Sequence, residues 1–170
     1  IIGEASTIYL ASDIAPKKIH SYVPDIKLIA ILRNPVERAY SQYLHFRRDQ
    51  FEPCETFREA VEQESIRIDQ NWFQSFFYIQ AGFYAKQLKK YFQYFDKSRI
   101  RLFLYEDMSN PKTLVTQIFE FLNVSTDYKV ETSTKHNRSG KVRIPGLYKT
   151  VSQSQNIKPF LRKIVPVNQW

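Results

Sequence analysis

The apolar run Lys27–Arg33 (KLIAILR), together with the helix start that follows it, places the strongest constraint on the fold of this chain. A short and nearly continuous apolar run is typical of a strand that is buried on both faces of a parallel sheet. The next residues suit the beginning of a helix, with Asn34 at the N-cap, Pro35 at the first helical position and Glu37 placed to bond back to the cap. We therefore predict a buried strand that turns directly into a helix.

The rest of the chain alternates between the same two kinds of element. Ile100–Tyr105 (IRLFLY) predicts a second strand, and Ile1–Glu4 is a third, shorter candidate. The polar stretch Asn123–Arg143 predicts a long surface loop. Helical patterns occupy three segments, from about Thr56 to Ile66, Tyr84 to Phe95 and Pro111 to Leu122. This alternation predicts a single α/β domain in which helices cover a parallel sheet.

The composition excludes several classes of protein. With 43% hydrophobic and 25% charged residues, and no apolar run of 18 residues, the chain predicts a globular domain without a membrane span. Cys54 is the only cysteine, so we expect no intrachain disulfide, no metal site and a reducing, cytoplasmic location. The four glycines form neither of the common glycine-rich nucleotide-binding motifs. The net charge of +8 favours polyanionic or phosphorylated partners.

A candidate anion site lies where the first strand meets its helix. In open α/β sheets, ligands bind beyond the carboxyl ends of the strands, and anions favour the helix N-termini that follow. Arg33 closes the strand, and Ser41 lies two turns into the helix, so a guanidinium and a hydroxyl can bind one phosphate. The alternative is that Arg33 pairs with Glu37 while Ser41 packs against the sheet.

The segment Lys27–Arg48 resembles the 3′-phosphate-binding segment of sulfotransferases that use 3′-phosphoadenosine-5′-phosphosulfate (PAPS). Upstream, Gly3–Leu10 is similar to the Glu-Lys-(Ser/Thr)-Pro-x-Tyr segment of the heparan sulfate type, with Ala5 in place of the lysine. Downstream, Gly82–Tyr84 resembles the family's Gly-x-Tyr helix start. The resemblance implies a P-loop-like, three-layer α/β domain with a central parallel sheet flanked by helices.

The same resemblance implies a donor site. Arg33 and Ser41 would bind the 3′-phosphate of PAPS, the co-substrate, and adenosine 3′,5′-bisphosphate (PAP) would be the product. A basic, glycine-containing loop would close over the nucleotide with Arg138, Gly140, Lys141 and Arg143. The family's phosphosulfate loop, a Lys-x-Gly-Thr turn, does not occur in this sequence. We therefore expect residues 1–170 to be one sulfotransferase-like domain whose first strand, phosphosulfate loop and first helix precede Ile1, and to be inactive alone.

Sulfuryl transfer also needs a base that takes the proton of the acceptor hydroxyl or amine. The resemblance implies that the main base lies in the segment expected upstream of Ile1. Glu4, next to a predicted strand end, and His136, beside the basic loop, are the candidates in this sequence. The alternatives are a capping or salt-bridged carboxylate for Glu4 and an exposed loop histidine for His136.

Other functions remain open alternatives. A nucleotide kinase-like enzyme shares the sheet, and a non-catalytic nucleotide- or polyanion-binding module would need no base. A nucleic-acid partner is not expected, because most aromatic residues fall on helix core stripes. Carbohydrates, lipid head groups and small metabolites all suit the acceptor role, and no heptad pattern indicates an oligomer. One aromatic cluster predicts either core packing or an acceptor wall: Trp72, Phe73, Phe76, Phe77 and Tyr78.

Overall fold

The computed structural model describes residues 2–128, 130 and 131. The described part contains two strands and six α-helices. The strands are β1 (Leu28–Leu32) and β2 (Ile100–Leu104). The helices are α1 (Ala15–Tyr22), α2 (Pro35–Arg48), α3 (Phe57–Glu62), α4 (Glu64–Asp69), α5 (Tyr84–Tyr91) and α6 (Pro111–Leu122). Short 3-10 helices cover Gln74–Phe76, Gln80–Gly82, Lys97–Arg99 and Tyr105–Ser109.

The two strands form a parallel pair, in register from Leu28 opposite Ile100 to Leu32 opposite Leu104. The predicted α/β fold with a parallel sheet is therefore confirmed. The expectation that β1 is buried on both faces is wrong within the described residues. The side chains of Ile29 and Ile31 are 36% and 45% exposed, because the described helices do not cover that side of the strand.

The predicted strand at the start of the chain is also not found. Residues 2–6 have no regular structure, and residues 7–11 form turns, because no described strand lies beside them to complete a ladder. A hydrogen bond from the hydroxyl of Tyr91 to the backbone oxygen of Tyr9, 2.7 Å long, instead attaches this segment to α5.

The start of α2 follows the sequence prediction except at one residue. The side chain of Asn34 caps the helix and accepts hydrogen bonds from the backbone N–H groups of Val36 and Glu37, at 3.0 and 3.3 Å. Glu37 does not bond back to the cap as expected. Its carboxylate pairs with the guanidinium of Arg33, because a charged partner binds it more strongly than a backbone N–H.

The region predicted as one helix from Thr56 to Ile66 consists of α3 and α4, with Gln63 between them. The Thr56 side chain caps α3 and, with Glu59, completes a capping box. Glu64 begins α4 and is buried, since its carboxylate accepts hydrogen bonds from the backbone N–H groups of two distant residues, Ile79 and Gln80. Helix α5 ends at Tyr91, four residues before the predicted end, whereas α6 has the predicted bounds.

The core beneath α2 is aromatic and contains a buried ion pair. Ala39, Tyr43, Ala60 and Tyr78 form the core cluster. Beside it, the guanidinium of Arg67 donates two hydrogen bonds to the carboxylate of Glu52, at 2.8 and 2.6 Å. The hydroxyl of Tyr78 donates a third, at 2.6 Å. None of the helices within the described residues is long and apolar enough to cross a membrane.

Candidate functional site

Arg33 lies immediately after β1, at the turn that leads into α2. Its guanidinium contacts the carboxylate of Glu37, with an Nη2–Oε2 distance of 3.1 Å and an Nε–Oε2 distance of 3.2 Å. The guanidinium also lies over the ring of Tyr105, 4.7 Å from the ring centroid. Arg33 therefore emerges beyond the carboxyl end of the strand, as the sequence predicts, and it forms the ion pair with Glu37 that is the alternative to phosphate binding.

Ser41 lies one turn beyond Glu37 on the same face of α2 and is partly buried. Because Arg33 pairs with Glu37, the guanidinium is held against the turn of the helix that precedes Ser41. Arg33 lines the large cleft described below, whereas Ser41 does not. The structure thus places Arg33 between the strand and the helix and Ser41 on the helix face of Glu37, and it brings only Arg33 to the cleft wall.

A cleft of about 720 Å³ extends along β1 as far as Arg33. Residues 4–11 form one wall, and α5 contributes another through Tyr84, Gln87 and Leu88. Gln42 of α2 and the side chains of Gln74 and Ser75 add neutral polar groups. This volume lies within the range of small-molecule and cofactor sites, roughly 300–1,000 Å³. The cleft is therefore large enough for a nucleotide-sized ligand.

Glu4 lines the same cleft as Arg33. Its carboxylate is exposed and accepts a hydrogen bond of 2.9 Å from the hydroxyl of Tyr9. This hydrogen bond raises the pKa of the Tyr9 hydroxyl, because the negative charge of Glu4 disfavours a phenolate beside it. Among the described residues, Glu4 neither caps a helix nor forms a salt bridge.

Sequence reasoning missed two residues near this end of the sheet. Arg38 lines the cleft, and its Nη2 donates a hydrogen bond to the backbone oxygen of Tyr78. Its Nε is buried and has no hydrogen-bond partner within the part of the chain that the structure describes. Burial lowers the pKa of this guanidinium. Tyr105 is the second residue missed. It directly follows β2, just as Arg33 directly follows β1, and this equivalent position is visible in the sequence.

The aromatic cluster between residues 72 and 78 serves mainly in packing. Tyr78 is fully buried, and the rings of Trp72 and Phe76 lie against the guanidinium of Arg67, with centroids 5.1 and 5.5 Å away. Phe73 is exposed. Phe76 lies in a 3-10 helix, Tyr78 in a turn, and the other three cluster residues in irregular backbone, so the cluster forms no core helix or strand.

Five predicted site residues lie outside the described residues: His136, Arg138, Gly140, Lys141 and Arg143. Their assignment to the nucleotide loop and to base catalysis stays a prediction.

The fold and the cleft place this protein among α/β domains with a parallel sheet, a class whose ligands bind near the carboxyl ends of the strands. Within that class, the sulfotransferase domain family matches residues 9–168. The chain belongs to this family, so the resemblance seen in the sequence is confirmed.

A solved structure supports the same family and fold. The sulfotransferase from Alicyclobacillus acidocaldarius is similar to this chain with a TM-score of 0.74 and 34% identity. The similarity covers 88% of this chain and 58% of that chain. It confirms the expected P-loop-like α/β fold.

Two curated relatives act on glycans according to their names. Human (Homo sapiens) carbohydrate sulfotransferase 15 is 31% identical over 123 residues, which is 62% of this chain and 22% of that protein. Heparan sulfate glucosamine 3-O-sulfotransferase 6 of Mus musculus is 29% identical over 126 residues, which is 73% of this chain and 35% of that protein. The chain thus spans about a fifth to a third of the length of these relatives.

Proposed function

We propose that the full-length protein transfers a sulfuryl group from PAPS to a hydroxyl or amine of a carbohydrate acceptor. The observation that carries this proposal is the position of Arg33, beyond the carboxyl end of β1, at the N-terminus of α2 and in the wall of a nucleotide-sized cleft. Membership of the sulfotransferase family supports the reaction, and the names of the two relatives support the carbohydrate acceptor.

The residues around Arg33 fit the 3′-phosphate of the donor. The ion pair with Glu37 is exposed, at 31% for the arginine side chain and 58% for the glutamate. Exposed pairs of this kind contribute about 0–1 kcal/mol, so giving up the contact with Glu37 costs the protein little. A phosphate therefore competes well for the guanidinium. Ser41 would add a neutral hydroxyl donor. The N–H groups of Val36 and Glu37 are already capped by Asn34, so the N-terminus of α2 would contribute through its positive dipole end.

The reaction forms a bond between sulfur and the acceptor oxygen or nitrogen and breaks the bond between sulfur and the bridging oxygen of the donor. PAP leaves with that oxygen, and a base takes the acceptor proton. Within these residues we assign the base to Glu4, because its exposed carboxylate lines the same cleft as Arg33. His136 is the second candidate, from its place beside the basic loop in the sequence.

Other parts of the donor need other residues. Arg138, Lys141 and Arg143, with Gly140 between them, would bind the nucleotide from the basic loop. The sequence contains no Lys-x-Gly-Thr turn for the phosphosulfate, so we expect the 170 residues alone to bind PAP but not to transfer sulfate. A cytoplasmic location and lipid or small-metabolite acceptors also stay predictions.

Calorimetry on the full-length protein tests the donor site, with PAP, adenosine 5′-monophosphate (AMP) and ATP as ligands. Tighter binding of PAP than of AMP is expected, because AMP lacks the 3′-phosphate. Equal affinity would contradict 3′-phosphate recognition, and preferential ATP binding would favour the kinase alternative. PAPS with labelled sulfate, offered with a panel of glycans, lipids and small alcohols, then tests transfer. Labelled glycan is the expected product. PAP binding without transfer to any acceptor would favour the binding-module alternative.

A further inference from the structure

Side chains from three helices form hydrogen bonds with the backbone of the segment from Tyr78 to Tyr84. The Nη2 of Arg38 in α2 donates to the backbone oxygen of Tyr78. The carboxylate of Glu64 in α4 accepts from the N–H groups of the next two residues, at 2.5 and 2.9 Å. The side-chain amide of Gln87 in α5 donates to the backbone oxygen of Gln80 at 3.1 Å. A segment fixed at several points along its length holds its own side chains in defined positions.

This segment meets the start of α2 at a glycine. A Cβ added to Gly82 would lie 2.9 Å from the Cβ of Pro35, closer than real Cβ contacts allow. The absence of a side chain at Gly82 is what permits this approach, since its backbone does not have a positive φ. The glycine therefore sets the position of the first turn of α2.

Two residues further on, the segment reaches the backbone of Arg33. The hydroxyl of Tyr84 donates a hydrogen bond of 3.0 Å to the backbone oxygen of Arg33. Arg33 lies one residue beyond β1, so its carbonyl has left the sheet ladder and needs another partner. The hydroxyl of Tyr84 is that partner, although Tyr84 is 51 positions away from Arg33 in the sequence.

We propose that Tyr84 is a positioning residue for recognition of the donor's 3′-phosphate, an inference that rests on the proposed function. Its hydroxyl fixes the backbone of Arg33, and the contact of Gly82 with Pro35 fixes the N-terminus of α2. Together these two contacts fix the position of the Arg33 guanidinium relative to the N-terminus of α2. A preformed pair of this kind binds a phosphate without losing further backbone freedom on binding.

The chain offers a matched control on the same helix. Tyr91 also lies on α5 and also donates its hydroxyl to a backbone oxygen, that of Tyr9, at 2.7 Å. Tyr84→Phe and Tyr91→Phe remove the same atom from the same kind of hydrogen bond. They differ in the backbone that each bond holds, and Tyr84→Phe also removes the interaction of the hydroxyl with Arg38.

The experiment measures the affinities of the full-length wild-type protein and both variants for PAP and for AMP. The readout is the ratio of the two affinities, because general destabilisation weakens both nucleotides alike. Because Tyr84→Phe removes one neutral hydrogen bond, we expect it to lower the affinity for PAP relative to AMP by about threefold to tenfold. Tyr91→Phe is expected to leave the ratio unchanged. An unchanged ratio in Tyr84→Phe, with a wild-type preference for PAP, would overturn the positioning role alone.

A wild-type protein without preference for PAP would instead overturn the proposed donor site, so the two failures are distinguishable. Gly82→Ala gives a second test if Tyr84→Phe does not fold. The added methyl displaces the start of α2 and should also lower the ratio. Gly3→Ala, where the added Cβ meets no atom within 4 Å, is its control and should have no effect. A ratio unaffected by Gly82→Ala would contradict the proposal.

Discussion

The guanidinium of Arg33 lies 4.7 Å from the centroid of the Tyr105 ring. The contact follows from the sheet register, because Leu32 and Leu104 are opposite each other and the next residue of each strand leaves the sheet at the same edge. A cation over an aromatic face is attracted by the ring electrons. Tyr105 thus supports the guanidinium from one side while Glu37 pairs with it from another.

Replacing Arg33 with alanine should weaken PAP binding by about tenfold to a hundredfold, because a charge-assisted contact with the 3′-phosphate is lost. AMP binding should change much less. Calorimetry with both nucleotides measures this difference. Arg101→Ala is the matched control, since this exposed arginine also lies over a ring, that of Phe103, and does not line the cleft. Equal effects of the two substitutions would count against the site.

Ser41→Ala should lower PAP affinity by about twofold to tenfold, because a neutral hydroxyl donor contributes less than a guanidinium. The affinity for AMP should stay the same. Ser21→Ala, on the exposed side of α1, removes a hydroxyl that bonds only to the backbone oxygen of Lys18 among the described residues, and serves as the control. If Ser41→Ala binds PAP as the wild type does, the alternative holds, in which Ser41 packs against the sheet and has no part in donor binding.

Glu4→Gln should reduce kcat by about a hundredfold or more, the usual contribution of a general base, and leave PAP affinity unchanged. The amide keeps the shape of the side chain but cannot take the acceptor proton. Steady-state kinetics with labelled PAPS, together with PAP titration, separates the two effects. Glu62→Gln at the exposed end of α3 is the control. A wild-type kcat in Glu4→Gln would rule out Glu4 as the base and leave His136 and the segment expected upstream of Ile1 as its sources.

The buried pair of Glu52 and Arg67 should make stability depend on pH. Burial alone raises the pKa of the Glu52 carboxyl, but hydrogen bonds from Arg67 and Tyr78 outweigh it, and the pKa is lower than its ordinary value of 4.5. A lowered pKa adds stability above the unfolded value, and this stability is lost as the pH falls through the folded value. The wild type should therefore lose stability below about pH 4.5.

Glu52→Gln leaves Arg67 buried without its counter-charge and should lower the free energy of unfolding by about 3 kcal/mol near neutral pH. The difference from the wild type should narrow in acid, where Glu52 is protonated. Urea unfolding across this pH range measures it, with Glu120→Gln on the exposed side of α6 as the control. A difference that is independent of pH would show that the charge of Glu52 does not contribute.

Local features of the sequence predicted much of the fold. The run Lys27–Arg33 is β1 with one residue at either end, and Pro111–Leu122 is α6 to the residue. The Asn34 cap was also predictable, since capping involves neighbours within one helical turn. For the candidate site, the strand end identified Arg33 and the helix spacing placed Ser41 on the face of Glu37, but only Arg33 lines the cleft.

Properties that depend on neighbours from elsewhere in the chain were not predictable in this way. The exposure of Ile29 and Ile31 depends on what covers β1, and periodicity contains no information on that. The absence of a strand at Ile2–Glu4 depends on whether a partner strand lies alongside. The carboxylate of Glu37 can bond either to the backbone N–H of Asn34 or to the guanidinium of Arg33. The sequence spacing permits both, so it does not predict which of the two forms.

The sequence by itself determined that β1 ends in an arginine, that α2 begins at the next turn and that the chain carries the sulfotransferase motif, because these are properties of contiguous residues. Only the tertiary structure decided that Tyr84 meets the Arg33 carbonyl, that Tyr105 lies beneath its guanidinium and that Glu4 shares its cleft. Each of these contacts joins segments far apart in the chain. They form only when the strands pair in register and the helices pack, since the free energy of packing then offsets the entropy of closing the intervening loops.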